Sequence, residues 1–419
     1  VIFSLNQLVN QSLGCSIVMK KLCWAVLGGV ISSTTLAAGV EIFWQIQNQF
    51  TVNDFDASAA NNPENQILQL NDYSGFVELQ PEVLFNWKDL SFNLQPRINL
   101  NHQNTTIVSE DKSETDTDLS LNYWQVEYYH DDFWVKGGRY VNLWGPARLV
   151  SPSNRYHVNT NRSNPEVELD ARDYIEIGGA LNDQWQILLT TNVGRGDQLI
   201  EHFKVTADLQ LEWVGEESSS TLIFSKTALG YGVGGYAQWT VNEALLLYTD
   251  LYYQNKVQNI NSEAEPENFS IVNGVSYTLE NGLNFTVDYL YSQQGLSENE
   301  LTNLFNLNNQ YTADILRGDI EPRKIGYITQ VNNLASYTVS QHYLFTMLQQ
   351  NEVIDDVDFS LLHIKSLNDN SRQTTLNLTY RLNDDLRLYS SFSWFSGGSV
   401  SDQGRFLKQN FSAGAKYIF

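Results

Sequence analysis

The stretch Leu90-Ser91-Phe92-Asn93-Leu94-Gln95-Pro96-Arg97-Ile98-Asn99-Leu100-Asn101 decides the fold. In an extended chain, side chains point alternately to the two faces. Leu90, Phe92, Leu94, Pro96, Ile98 and Leu100 therefore share one face, and Ser91, Asn93, Gln95, Arg97, Asn99 and Asn101 share the other. The pattern recurs. Phe203, Val205, Ala207, Leu209, Leu211 and Trp213 oppose Lys204, Thr206, Asp208, Gln210 and Glu212, and Leu376, Leu378, Tyr380 and Leu382 oppose Thr375, Asn377, Thr379 and Arg381. Runs of this length exceed the usual strand of about five or six residues. They match the roughly 9–11 residues with which a tilted strand crosses a bilayer.

Working outward from that segment, the alternation predicts strands near 40–50, 74–87, 90–104, 118–129, 133–144, 172–181, 185–194, 203–213, 219–228, 232–240, 244–255, 269–279, 283–293, 335–348, 355–365, 372–382, 386–396 and 408–419. The connections alternate in length. Lys88-Asp89, His130-Asp131-Asp132, Asn182-Asp183-Gln184, Asn242-Glu243, Glu280-Asn281-Gly282 and Asn383-Asp384-Asp385 are tight, and polar segments at 51–73, 105–117, 145–171, 256–268 and 294–334 are long. Short turns at one end and long loops at the other are the habit of outer-membrane barrels. A soluble sandwich has no reason to keep it. The expected fold is thus all-β, a transmembrane antiparallel up-and-down barrel of about 18 strands, with 16 as the alternative.

Composition agrees. The 419 residues carry 25 Lys+Arg against 48 Asp+Glu, a net charge of -23, and only 17% are charged. Soluble chains average about 25%. The acidic balance opposes a nucleic-acid partner, which needs a basic face. Hydrophobic content of 42% with 22 Tyr and 20 Phe opposes disorder.

Met19-Lys20-Lys21, the apolar run from Leu22 to Ile31 and the small-residue end Leu36-Ala37-Ala38 read as a secretory signal peptide over 19–38. Residues 1–18 read as an upstream over-extension of the gene start, and 39–419 as the barrel. Both cysteines, Cys15 and Cys23, precede residue 39, so the exported chain has no thiol chemistry or Cys-based metal site. Past residue 38 no run of about 18 apolar residues offers a helical span.

Trp87, Tyr123, Trp124, Tyr128, Tyr129, Trp134, Trp185, Trp213, Trp239 and Trp394 sit near strand ends, as the aromatic girdles of a membrane barrel would. On the other face, alternation places Glu78, Glu82, Arg97, Arg172, Glu176, Lys204, Asp208, Glu212, Asp250, Asp288, Arg381 and Arg387 towards the lumen. A barrel of 16–18 strands encloses an aqueous channel rather than a packed core. Six arginines, Arg139, Arg148, Arg155, Arg162, Arg172 and Arg195, fall in a window without lysine, which is a candidate basic ladder for anions. Interleaved Glu166, Glu168, Asp170, Asp173 and Glu176 offer the competing reading of ordinary ion pairs. Ser297-Glu298-Asn299-Glu300 has the pattern of a capping box, and the segment 294–334 behind it is expected to fold inward and narrow the pore. The acidic run Glu110 to Asp118 lacks the glycine and spacing of a calcium loop and reads as a solvated charge run.

The last strand alternates Phe411, Ala413, Ala415, Tyr417 and Phe419 on one face and stops there. This resembles the C-terminal signal of Gram-negative outer-membrane proteins, which implies an assembly-machinery partner at Phe419. The whole of 39–419 resembles large Gram-negative porins and substrate-specific outer-membrane channels. Gly138-Arg139-Tyr140, Trp144-Gly145-Pro146-Ala147-Arg148 and Ser151-Pro152-Ser153-Asn154 resemble a Gly-Arg…Trp-Gly segment of porin-like and polysaccharide-export barrels. The resemblance implies a place in the cell outer membrane, among its lipid and lipopolysaccharide, and adds Arg139 and Arg148 to the pore-lining candidates. The expected function is a channel for passive or facilitated diffusion of small hydrophilic solutes, with no catalytic residue, cofactor or metal. The alternative is an export conduit, or an outer-membrane component that handles a polysaccharide or lipid. An outer-membrane hydrolase is disfavoured: no Gly-x-Ser-x-Gly or His-Glu-x-x-His motif occurs, and His342 is the one histidine with a lumenal reading.

Overall fold

The computed structural model describes residues 39–419 apart from 57, 158–165, 167, 170, 194–205, 228–229, 257–266, 335–337 and 399. The proposed signal peptide and upstream segment therefore lie outside the described residues. The chain forms eighteen antiparallel strands in one closed sheet. They are β1 (Val40–Phe55), β2 (Tyr73–Trp87), β3 (Leu90–Ile107), β4 (Glu110–His130), β5 (Phe133–Tyr140), β6 (Arg172–Ala180), β7 (Trp185–Asn192), β8 (Ala207–Val214) and β9 (Ser218–Lys226). Then follow β10 (Tyr231–Thr240), β11 (Leu245–Gln254), β12 (Asn268–Thr278), β13 (Asn284–Ser292), β14 (His342–Ile354), β15 (Val357–Ser366), β16 (Arg372–Arg381), β17 (Leu386–Ser396) and β18 (Leu407–Ile418). Each strand pairs with its neighbours in sequence, and β1 pairs with β18 to close the ring. The seam is finished by Phe419, whose N–H donates to the Trp44 carbonyl at 2.9 Å while Trp44 N–H donates to Phe419 at 2.8 Å. Closure leaves no sheet edge along the seam.

Directly opposed residues share a face of the sheet, so the register sorts the wall into two surfaces. Phe50, Ile177, Leu209, Phe224, Leu247, Phe285, Leu378, Leu388 and Phe411 are exposed on the outside. That apolar band is what a barrel in lipid must present. Trp87, Trp185, Trp239 and Trp394 stand exposed on the same face. Tyr123, Tyr129 and Trp134 do not belong to that girdle. They oppose Tyr140's row and one another on the inner face, and Trp134 Nε1 donates to Glu176 at 3.3 Å. The reason is a bulge: Gln95 pairs with Tyr123 and Pro96 with Leu121, so Asn122 is an extra residue that reverses the inward parity of β4. Pro96 cannot donate to the ladder, and bulges settle at such positions.

The turns joining β2–β3, β4–β5, β6–β7, β8–β9, β10–β11, β12–β13, β14–β15 and β16–β17 are short and share one end of the barrel with the start of β1 and the end of β18. The predicted loop over 105–117 is corrected. β3 and β4 continue to a two-residue turn at Val108 (φ 49) and Ser109 (φ 67), forming a hairpin that stands beyond the strands beside it. Two positive-φ residues give the turn the backbone twist hairpins favour. Strand β5 ends at Tyr140 rather than 144, and β14 begins at His342 rather than 335. The segment 293–341 carries two helices, α1 (Glu298–Leu316) and α2 (Pro322–Asn333). The Ser297/Glu300 capping box is formed as expected.

Candidate functional site

The lumen is occupied by the β5–β6 connection, 141–171, rather than by 294–334. The helices α1 and α2 pack Leu301, Leu304, Phe305 and Val331 against each other, with Val339 and Val400 beside them. The guanidinium of Arg405 lies 4.6 Å from the Phe305 ring centre. The hairpin is thus held by the β17–β18 connection, and the expectation that it is the inward-folded constriction is corrected.

Segment 141–171 leaves the wall where Tyr140 opposes Arg172. Asn142 Nδ2 donates to Glu176 at 3.2 Å. The chain then runs over the inner face of β11 to β15. Ala147, Leu149 and Val150 pack with Tyr248, Val272, Leu290, Tyr343, Phe345, Met347 and Leu362. Two carboxylates fix it there. Asp250 accepts Ser151 Oγ at 2.6 Å and the Ser153 N–H at 2.9 Å, and Asp288 accepts the Arg148 N–H at 3.2 Å and the Tyr248 hydroxyl. Gly145 explains its place in the Trp-Gly-Pro motif. At φ +84 any side chain is strained, and a Cβ would meet Ser151 Oγ at 2.5 Å and Asp250 Oδ2 at 2.6 Å. Gly274 is similarly required, since Tyr248 crosses its face to reach Asp288 and a Cβ would meet the ring at 2.1 Å.

The segment next packs Trp144 and Tyr156 against Tyr140, Tyr174 and Ile223. His157 is buried there, with its Nε2 3.3 Å from the Tyr174 hydroxyl. Burial, seconded by Arg172, pushes its pKa down to about 3 from 6.5. The imidazole is therefore neutral at ordinary pH. Beyond the undescribed 158–165, the chain meets the opposite wall. Gln47 Nε2 donates to the Glu166 carbonyl at 3.4 Å, and Glu168 pairs with Arg97, which also holds Glu78 at 3.0 Å. Strands β3 and β12 are nine positions apart in the eighteen-strand ring. Glu78, Asp250 and Asp288 all lie near the middle of their strands. One connection is therefore tied to opposite walls at mid-height.

The sequence-predicted residues now divide. Arg97, Arg172, Glu176, Asp208, Glu212, Asp288, Arg381 and Arg387 are on the inner face, as the alternation required. Asp208 and Asp288 are 0% and 2% exposed, and Glu176 is buried, so they anchor packed groups instead of facing an aqueous path. Ser225 donates to Asp208. Glu212 is half-buried on the inner face opposite Gln186. Arg148 sits in the lumenal segment itself, half-buried beside Asp288. Lys204 lies outside the described residues.

Arg139 is a correction. It opposes Trp124 and Asp173 on the outer face, where it makes two bonds to Asp173 at 2.8 and 3.1 Å and one to the Leu121 carbonyl at 3.2 Å. Lys136, an odd number of residues away, is the inward one. His342 likewise faces outward, beside Tyr289 and Tyr291. The basic ladder is also corrected: Arg139 is outside, Arg97 is flanked by two acids, and Arg155 lies over the Tyr252 ring at 4.8 Å.

Two lumenal features were missed. Arg381, Arg387 and Lys416 are directly opposed across β16, β17 and β18 on the inner face. Arg381 is held by Glu352 at 3.0 Å and Asp358 at 3.3 Å. The second is a relay of amides. Gln45 donates to Gln80 at 3.0 Å, Gln80 to Gln95 at 3.3 Å and Gln95 to Glu82 at 2.7 Å, with Asn93 also on Glu82 at 2.8 Å. Leu79 pairs with Ile98 and Val83 with Leu94, so Pro81 faces Pro96 and the backbone ladder is interrupted between them. The side-chain relay bridges the interruption.

No protein-family model matches the sequence, and no curated protein matches it. Solved structures do. The chain is similar to OccK5 (OpdH) of Pseudomonas aeruginosa, with a TM-score of 0.55 and 10% identity over 91% of this chain and 98% of that one. It is similar to OccAB3 of Acinetobacter baumannii, with a TM-score of 0.54 and 9% identity over 92% and 100%. It is also similar to OccK7 (OpdD) of Pseudomonas aeruginosa, with a TM-score of 0.54 and 10% identity over 92% and 99%. The fold is that of Gram-negative outer-membrane porins.

Proposed function

We propose that this porin-type barrel is an outer-membrane channel through which small hydrophilic solutes diffuse. One observation carries the reading: a polar lumen is crossed at mid-height by a single segment anchored on opposite walls, through Asp250 and Asp288 on one and Gln47 and Arg97 on the other. A barrel of this strand number has room for water beside such a segment. A solute passing it exchanges part of its hydration for the amides of β1 to β3 and for charged groups of both signs.

Arg97 with Glu78 and Glu168 contacts the solute at the crossing. Arg381, Arg387 and Lys416 contact it on the side of the short turns. The mechanism needs no bond-making group, so the enzyme and cofactor questions do not arise in it. Purified protein reconstituted in a planar bilayer is expected to give stable, ohmic single-channel steps in potassium chloride. A preparation that is folded by heat-modifiable gel mobility and still gives no steps would contradict the reading.

A further inference from the structure

The lipid-facing surface carries one feature that a hydrocarbon environment does not explain. Lys365 and Arg372 are directly opposed, and they lie on the outer face with Leu361 and Leu376. Both are at the strand ends next to the connection 367–371, the end of the barrel away from Phe419. Like charges directly opposed across two strands destabilise the pairing. Neither makes an ion pair among the described residues, unlike Arg139, which Asp173 neutralises on the same outer surface.

The surroundings are suited to a charged and hydroxylated group. His363 is two residues from Lys365 on the same face, about 7 Å along the strand, and opposes Thr374 and Thr346. His363 Nδ1 and Thr374 Oγ1 are 2.8 Å apart. On the next strands His342 lies 2.7 Å from the Tyr289 hydroxyl, with the Tyr291 ring 5.2 Å from its own. Trp394 opposes Thr374 and is exposed on the outer face, so the patch is at the level of the aromatic belt. A cation costs little at the interface but about 2–4 kcal/mol at the lipid midplane. Two unpaired cations at the belt are stabilised only by an anion supplied from the headgroup layer.

We propose that the outer surface of β14 to β16 binds the phosphorylated sugar headgroup of an outer-leaflet glycolipid, lipopolysaccharide. Lys365 and Arg372 hold a phosphate, Arg372 through its planar fork of donors, and the histidine and tyrosine groups face the sugar hydroxyls. The assignment concerns the outside of the barrel, so it stands whether or not the lumen conducts.

The test measures lipopolysaccharide retained by detergent-purified full-length protein, with folding checked by heat-modifiable gel mobility. Wild-type protein is expected to retain lipopolysaccharide and to lose it when the lipid phosphates are removed enzymatically. The variant Lys365→Gln/Arg372→Gln is expected to bind about tenfold more weakly or worse, since each surface cation contributes about 1 kcal/mol to binding an anionic leaflet. The exchange Lys365→Arg/Arg372→Lys, which keeps both charges, is expected to bind within about twofold of wild type. Should the double glutamine variant not fold, Lys365→Gln alone gives the same comparison at smaller amplitude. Equal retention by the glutamine and wild-type proteins would overturn the proposal. So would equal retention of dephosphorylated lipid, and so would displacement of the lipid by an equimolar amount of inorganic phosphate, which would mark a free-phosphate site.

Discussion

The two sides of the lumen use the same residue types for opposite ends. On β6 to β15, inward carboxylates are covered: Asp208, Asp250 and Asp288 are 0%, 0% and 2% exposed, and each is satisfied by hydroxyl or backbone donors. On β16 to β4, inward Gln45, Gln95, Asn93, Arg97 and Arg387 stay half-buried on a concave wall. A buried charge is tolerated only when paired or hydrogen-bonded. The first side therefore works as an anchor for segment 141–171, and the second as the wall a solute meets. Inward direction alone does not make a residue pore-lining; what matters is whether the crossing segment covers it.

That contrast can be broken most forcefully at Asp250. Asp250→Ala orphans the Ser151 hydroxyl and the Ser153 N–H, each at a cost of about 1–3 kcal/mol. The expected result is a larger and noisier single-channel conductance, with the barrel still folded. On the open side, Arg97→Gln should act on charge instead of on size. It removes the cation between Glu78 and Glu168, so reversal potentials in a salt gradient should shift towards cation preference while conductance changes little.

A smaller effect follows from His157. Its pKa is lowered in the fold to about 3 from 6.5, so the folded chain binds fewer protons than the unfolded one. Its contribution is complete above 6.5 and is lost as pH falls towards 3. Acidification from pH 7 to 4 should therefore increase conductance fluctuations, and His157→Gln should flatten that dependence. Arg139→Gln should have the smallest effect. Its outward pair with Asp173 predicts conductance and selectivity indistinguishable from wild type, and a changed selectivity would sharpen the contrast in the wrong direction.

The fold was readable wherever one face of a strand met lipid and the other met water, as in 90–101, because that difference writes a period of two. It was not readable in 105–117. There the β3–β4 hairpin has polar residues on both faces, and Val108-Ser109 is a turn without glycine or asparagine. The inward charges were legible for the same reason as the strands. The crossing segment was not, since its length marks it as a loop but nothing local says that it turns inward. Its anchors, Asp250 and Asp288, are more than 90 residues downstream in the sequence. A hint was present in Trp144-Gly145-Pro146 and Ser151-Pro152-Ser153, which is too apolar and too rigid for a solvated external loop. Arg139 was misplaced because a motif likeness overrode the parity that Lys136 already set.

The most direct test removes the crossing segment. Tyr140 and Arg172 are directly paired, so a short Gly-Ser linker can join them without straining β5 or β6. Single-channel conductance of this linker variant in a planar bilayer is expected to be several times that of wild type, because the lumen would then be limited by the barrel wall alone. A folded variant with wild-type conductance would contradict the claim that segment 141–171 sets the channel.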